Sequence, residues 1–269
     1  MTSGAWLRLA GGLVLAAMIS LGAYRARALA PSGAVAATVI GGLTFGLGGL
    51  GPAILLLTFF LSSSALSLVG RQRKRSLQAV AAKGSRRDAV QVVANGAVAA
   101  VCAGLWGVQG SPLWLAAVVG GLAAATADTW GTEIGLLSPV APRRVTDWQP
   151  VAAGASGGVS LYGTLASLTG AGLIGLAAAV LEGDGWLLAA AILGGMLGAA
   201  ADSWLGASLQ AVYWCPACQQ ATERHPLHGC GGATELRSGQ PWLDNDGVNL
   251  AASTVGALAG ALVMAVGLP

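Results

Sequence analysis

The chain has 269 residues, of which 55% are hydrophobic and only 9% charged, with 42 glycines, a mean hydropathy of +0.69 and a formal net charge of +3. Soluble domains carry about a quarter charged residues, so this composition excludes a soluble globular fold and leaves no stretch for a long soluble domain. No nucleic-acid partner is expected.

Runs of about 20 apolar residues mark membrane-crossing helices. In chain order they predict eight, near 6–24, 33–50, 52–70, 89–108, 113–133, 158–180, 186–210 and 247–267. The first run lacks a basic start and a clear small-residue cleavage site, so it reads as a retained helix rather than a secretory signal. Gly48-Gly49-Leu50-Gly51-Pro52 separates the second and third helices as a tight hairpin. The expected fold class is all-α: one integral membrane domain over 1–269, with a cysteine- and histidine-bearing loop insert at 211–244. Gly41-Gly42, Gly120-Gly121 and Gly194-Gly195 are candidate points of close helix contact.

Basic residues in short loops face the cytoplasm. With eight spans, Arg25 and Arg27, the group Arg71, Arg73, Lys74, Arg75, Lys83, Arg86 and Arg87, then Arg143 and Arg144, and Arg224 and Arg237 all fall on one side. Of the 14 Lys and Arg only Arg8 lies opposite. This places both termini outside the cell inner membrane and the long loops in the cytoplasm.

Gly120-Gly121-Leu122-Ala123-Ala124-Ala125-Thr126-Ala127-Asp128-Thr129-Trp130 recurs as Gly194-Gly195-Met196-Leu197-Gly198-Ala199-Ala200-Ala201-Asp202-Ser203-Trp204. Gly158-Val159-Ser160-Leu161 has a partial echo in Gly247-Val248-Asn249-Leu250. The spacing points to a parallel duplication of two helix pairs.

Polar residues inside apolar helices are costly and usually functional. Here they gather at the expected cytoplasmic helix ends. Asp128, Thr129, Thr132 and Glu133 close the fifth helix, and Ser156 and Ser160 open the sixth. Asp202, Ser203 and Gln210 close the seventh, while Asn245, Asp246 and Asn249 open the eighth. Asp88, Gln91 and Asn95 open the fourth at i, i+3, i+7 and share a face. For Asp88 and Asp246, helix capping is the competing reading. Asp128, Glu133, Asp202 and Asp246 are hard oxygen ligands of the kind Mg²⁺ takes beside substrate phosphates, with Asn245 and Asn249 as neutral partners. Lys83-Gly84-Ser85-Arg86-Arg87 leads into the fourth helix as a basic turn, suited to phosphate or to anionic lipid headgroups. Together these features imply phosphoryl or nucleotidyl transfer to a lipid-borne acceptor. No Walker loop, dinucleotide fingerprint or Ser-His-Asp elbow is present.

Cys215-x2-Cys218 followed by His228 and Cys230 suits a Cys₃His zinc knuckle, with a free-thiol loop or a redox pair as alternatives. A reducing cytoplasmic face argues against a structural disulfide. Cys102 reads as a packing residue.

Ala127-Asp128-Thr129-Trp130-Gly131-Thr132-Glu133-Ile134-Gly135, Gly157-Gly158-Val159-Ser160-Leu161-Tyr162-Gly163-Thr164, Asp202-Ser203-Trp204-Leu205-Gly206-Ala207 with Gln210, and Asn245-Asp246-Gly247-Val248-Asn249 resemble an integral membrane family. It includes the plant phytyl-phosphate kinase of the tocopherol pathway. Arg86-Arg87-Asp88-Ala89-Val90-Gln91-Val92-Val93-Ala94-Asn95-Gly96 resembles it too, and the match runs from about Ser32 to the C-terminus. The resemblance implies a kinase converting a prenyl monophosphate to the diphosphate. A more distant likeness to CTP-using phytol and dolichol kinases suggests CTP as donor. On that analogy Asp128, Glu133, Asp202 and Asp246 hold Mg²⁺ and nucleotide phosphates. Lys83, Arg86 and Arg87 clamp phosphate, and Asn95, Gln210, Asn245 and Asn249 orient groups. A cytidylyltransferase acting on a lipid phosphate, or a transporter of phosphorylated isoprenoid lipids, remains as an alternative.

Overall fold

The structure, a computed structural model, describes residues 3–70 and 86–267. Among them are eight long helices: α1 Ser3–Arg25, α2 Pro31–Gly48, α3 Leu50–Leu68, α4 Ala89–Gln109, α5 Pro112–Gly135, α6 Leu161–Glu182, α7 Trp186–Ser208 and α8 Asn245–Gly267. All eight are long and apolar enough to cross a membrane. The protein is therefore all-α in class and polytopic. Five short strands occur only between helices: β1 Arg143–Arg144, β2 Gly158–Val159, β3 Val212–Cys215, β4 Gln220–Thr222 and β5 Glu235–Ser238. β1 and β2 form an antiparallel pair, and the second sheet has the order β4-β3-β5.

The observed bounds depart from the expected ones for local reasons. Gly48 ends α2 and Leu50 begins α3, so the break is Gly49 alone, at φ 87°. That backbone region is open to glycine at little cost. Pro52 falls in the first turn of α3, where its missing N–H is harmless. The sixth helix starts at Leu161 and not at 158, because Gly158 and Val159 pair with Arg144 and Arg143. Ser160 then caps the helix by accepting from the Gly163 amide at 3.1 Å. The seventh ends at Ser208, leaving Gln210 in a parallel bridge with Gln240.

α5 is the central helix. Residues 115–127 are continuously buried, and the helix packs against α3, α4, α6, α7 and α8. Lipid supplies no hydrophobic drive between helices, so close packing rests on small residues. The duplicated Gly pairs provide it: a Cβ on Gly194 would lie 2.8 Å from Gly120 Cα and 2.7 Å from the Gly256 carbonyl. α5, α7 and α8 thus cross at one point with backbones in contact. Large residues such as Leu7, Val14, Val180, Leu262 and Val266 stay exposed around the bundle, as a lipid-facing surface requires. The start of the chain forms a second group, with α1 against α2 and α2 against α3 and α4.

Candidate functional site

Eight residues beyond the crossing point, the duplicated helices present Asp128 and Asp202. Because both helices carry the same Gly-to-Asp spacing, the two carboxyls arrive beside one another. They line a polar cavity of about 710 Å³ at one end of the bundle. Asp202 Oδ2 is buried with no hydrogen-bond partner among the described residues. Glu133, one and a half turns beyond Asp128, accepts a hydrogen bond from Ser67 of α3 at 2.5 Å. Asp246 is 5% and Asn249 9% exposed at the start of α8. The capping of α8 falls instead to Asp244, whose Oδ1 accepts from the Gly247 amide at 3.0 Å. That leaves Asp246 in the cavity lining.

Gln210 is almost fully buried. Its amide donates to Glu223 at 2.8 Å and to Ser156 at 3.1 Å, and Ser156 also donates to Glu223. Thr132, Ser160 and Asn245 line the same cavity, as do Gln91 and Asn95. Asn95 donates to the Gln91 carbonyl at 3.0 Å within α4.

Arg87 precedes α4 and is clasped through its backbone. Its N–H donates to Ala28 at 3.1 Å, and its carbonyl accepts from Ala30 at 2.9 Å. Gly33 packs so closely on that carbonyl that a side chain there would collide with it. The guanidinium lies 5.5 Å from the ring centres of both Phe59 and Phe60, and its Nη1 is buried without a partner among the described residues. Burial pulls the Arg87 pKa below its ordinary value, while the Glu133 charge pulls the other way.

Arg87, Gln91 and Asn95 also border a second, apolar cavity of about 100 Å³ between α1, α2, α3 and α4. It follows α1 from Ala23 to Gly12. Eleven residues at about 1.5 Å each make that run about 16 Å, roughly half the ~30 Å hydrocarbon thickness.

Two sequence-derived site residues stand apart. Asp88 is the N-cap of α4, in a reciprocal box where it accepts from the Gln91 amide at 3.0 Å and Gln91 accepts from the Asp88 amide at 3.2 Å. Arg86 is exposed and outside both cavity linings. Lys83 lies outside the described residues. The structure adds Ser67, Asp244 and above all Glu223 to the lining. Glu223 belongs to the cysteine loop, far from any helix pattern, and its only sequence signal is an isolated acid among otherwise uncharged or basic neighbours.

In that loop Cys215, Cys218, His228 and Cys230 converge, with one ligand atom from each lying within 4.8 Å of the others. Cys230 Sγ is 3.7 Å from Cys215 Sγ and 3.3 Å from His228 Nδ1. The His228 contact, the Gly232 amide and the neighbouring thiols bring the Cys230 pKa down to about 6.

Fold and site together define a polytopic α-helical membrane protein with a carboxylate-lined cavity at one end of its bundle. The chain belongs to the integral membrane protein DUF92 family, whose model matches residues 14–257. It is 31% identical to Protein PGR of Arabidopsis thaliana, over 90% of this chain and 91% of that one. It is 30% identical to an uncharacterized membrane protein of Methanocaldococcus jannaschii, over 96% of this chain and 94% of the relative. A Synechocystis membrane protein is 28% identical over 73% of this chain and 67% of its own length. No solved structure matches.

Proposed function

We propose that the protein is an NTP-dependent prenyl-phosphate kinase, using CTP, that converts an isoprenyl monophosphate to the diphosphate at the cytoplasmic membrane face. The observation that carries this reading is the junction at Arg87. One buried guanidinium borders both a carboxylate-lined polar cavity and an apolar slot reaching toward mid-membrane. A phosphorylated lipid matches both halves: its phosphate against Arg87, its hydrocarbon tail along α1 and α2.

The acids suit the donor side. Asp128, Asp202, Asp246 and Glu133 would hold Mg²⁺, and the unpartnered, buried Asp202 Oδ2 beside a second carboxyl fits that role. Bound there, the ion would neutralise the charge on the nucleotide phosphates. Gln210, Asn245 and Asn249 offer neutral hydrogen bonds to the nucleotide. Arg87 would bind the lipid phosphate through charge-assisted hydrogen bonds while screening it from the donor's charge. An oxygen of the lipid phosphate then attacks the γ-phosphorus. The bond to the β,γ-bridging oxygen breaks, and the nucleoside diphosphate leaves with the electron pair. A phosphate monoester is largely dianionic at neutral pH, so the nucleophile needs no general base. Neither histidine lines the cavity. Catalysis is then mainly positioning and charge neutralisation.

Transport is the weaker reading. It calls for a polar path across the bilayer, whereas residues 115–127 of α5, on the N-terminal side of Asp128, are Ala, Gly, Val and Leu except for Thr126, which is bonded to Leu122. The test is purified protein in detergent with Mg²⁺, each of CTP, ATP, GTP and UTP, and prenyl monophosphates of several lengths. A prenyl diphosphate with released nucleoside diphosphate is expected by mass spectrometry. A CDP-linked lipid with pyrophosphate would make the protein a cytidylyltransferase. No product from folded protein would overturn the transferase reading.

A further inference from the structure

We propose that Cys215, Cys218, His228 and Cys230 bind one zinc ion, and that this ion holds the carboxylate of Glu223 in the polar cavity. Four soft and borderline ligands converge here, and among the described residues no other His, Cys, Asp or Glu joins the group; a closed Cys₃His set is characteristic of structural zinc. The distances agree. Two thiolates on one tetrahedral zinc, each about 2.3 Å from it, stand about 3.8 Å apart, and Cys215 and Cys230 are separated by 3.7 Å. A disulfide needs S–S of about 2.05 Å. The neighbours serve as outer supports: the Gly232 amide donates to Cys230 Sγ at 3.4 Å, and the Gln220 side-chain amide lies 3.0 Å from His228 Nε2. Such contacts orient metal ligands.

The link to Glu223 follows from chain order. Cys215 ends β3 and pairs with Gln220, the first residue of β4, with Cys218 in the turn between them. Glu223 comes directly after β4, and His228 and Cys230 come five and seven residues later. The ligands therefore clamp the chain on both sides of Glu223. From there its carboxylate accepts from Gln210, just after α7, and from Ser156, in the loop before β2, both of which line the cavity. A short three-stranded sheet joined to the bundle by loops has little core of its own, so a metal cross-link is the physical means of fixing it. The metal site stands whatever reaction the cavity carries out; only the effect on turnover rests on the kinase reading.

The experiment is elemental analysis of the purified full-length protein, together with hydrogen exchange before and after zinc removal by a chelator. One zinc per chain is expected, lost in Cys218→Ser and in Cys230→Ser while both variants remain inserted in membranes. Chelation should speed amide exchange across 216–226 and leave α5 unchanged. Glu223→Gln should keep its zinc yet lose turnover, as the stripped protein does. Zinc-free wild type with three reactive loop thiols, a disulfide, or bound iron would overturn the metal assignment. Unchanged exchange around Glu223 in stripped protein would overturn its coupling to the ion.

Discussion

Asp128 and Asp202 illustrate how one residue type can carry opposite meanings for stability and for chemistry. Two adjoining buried carboxylates repel one another unless a cation or a proton lies between them. Asp128→Asn and Asp202→Asn should therefore leave the metal-free protein as stable as wild type or more so, while lowering turnover by about 10²-fold or more. Melting curves with and without Mg²⁺ check the first part, because a ligand stabilises only the state it binds. Wild type should melt higher with Mg²⁺ and the variants should not. Normal turnover in both would sink the proposed metal site. Arg87 makes a different prediction. Lysine keeps the charge but loses the planar donor fork and its stacking on Phe59 and Phe60. Arg87→Lys should raise the KM for the lipid phosphate about tenfold with a smaller change in the KM for nucleotide, read from steady-state kinetics with each substrate varied in turn. Asp88, by contrast, looks like a site residue in the sequence and is a helix cap in the structure. Its i, i+3 relation to Gln91 fits both, and only hydrogen-bond geometry separates them.

At the scale of elements, the crossing of α5, α7 and α8 sets the distance between the two acids. A Cβ on Gly194 would stand inside normal contact with Gly120 and Gly256, all of them backbone and unable to swing aside. Gly194→Ala should destabilise the protein by about 1–3 kcal/mol, measured as a lower melting temperature in detergent. Because Asp202 lies two turns from Gly194 on the same helix, turnover should fall more than the loss of folded protein accounts for. The repeated Gly-Gly spacing marks Gly120 and Gly194 as candidate contact points, but not their meeting with Gly256 of α8. The β3–β4–β5 sheet was not legible in the sequence, since a four-residue strand in a loop leaves no usable periodicity.

At the scale of the whole molecule, the apolar slot and the polar cavity meet only at Arg87, Gln91 and Asn95. If the slot receives the lipid tail, blocking it should penalise long chains and spare short ones. Ala37 lines it from α2. Ala37→Phe should raise the KM for a long prenyl monophosphate about tenfold while a five-carbon substrate is used as before, compared in the same assay. An equal loss with both would assign the effect to misfolding rather than to tail binding. This slot is invisible in the sequence because its walls read as ordinary lipid-facing apolar residues.

What the sequence determined by itself is what depends on composition and spacing along one helix: eight apolar spans, the duplicated Gly and Asp positions, the carboxylates and amides at helix ends, and four metal-type ligands in one loop. Each is a property of residues near one another in the chain. What the tertiary structure decided is what depends on residues far apart: Asp128 brought beside Asp202, Glu223 reaching from the cysteine loop to Gln210 and Ser156, and Arg87 at the border of two cavities. Helical periodicity specifies which face a side chain occupies. Which neighbour that face meets is decided only by backbone approach at small residues and by the path of the loops.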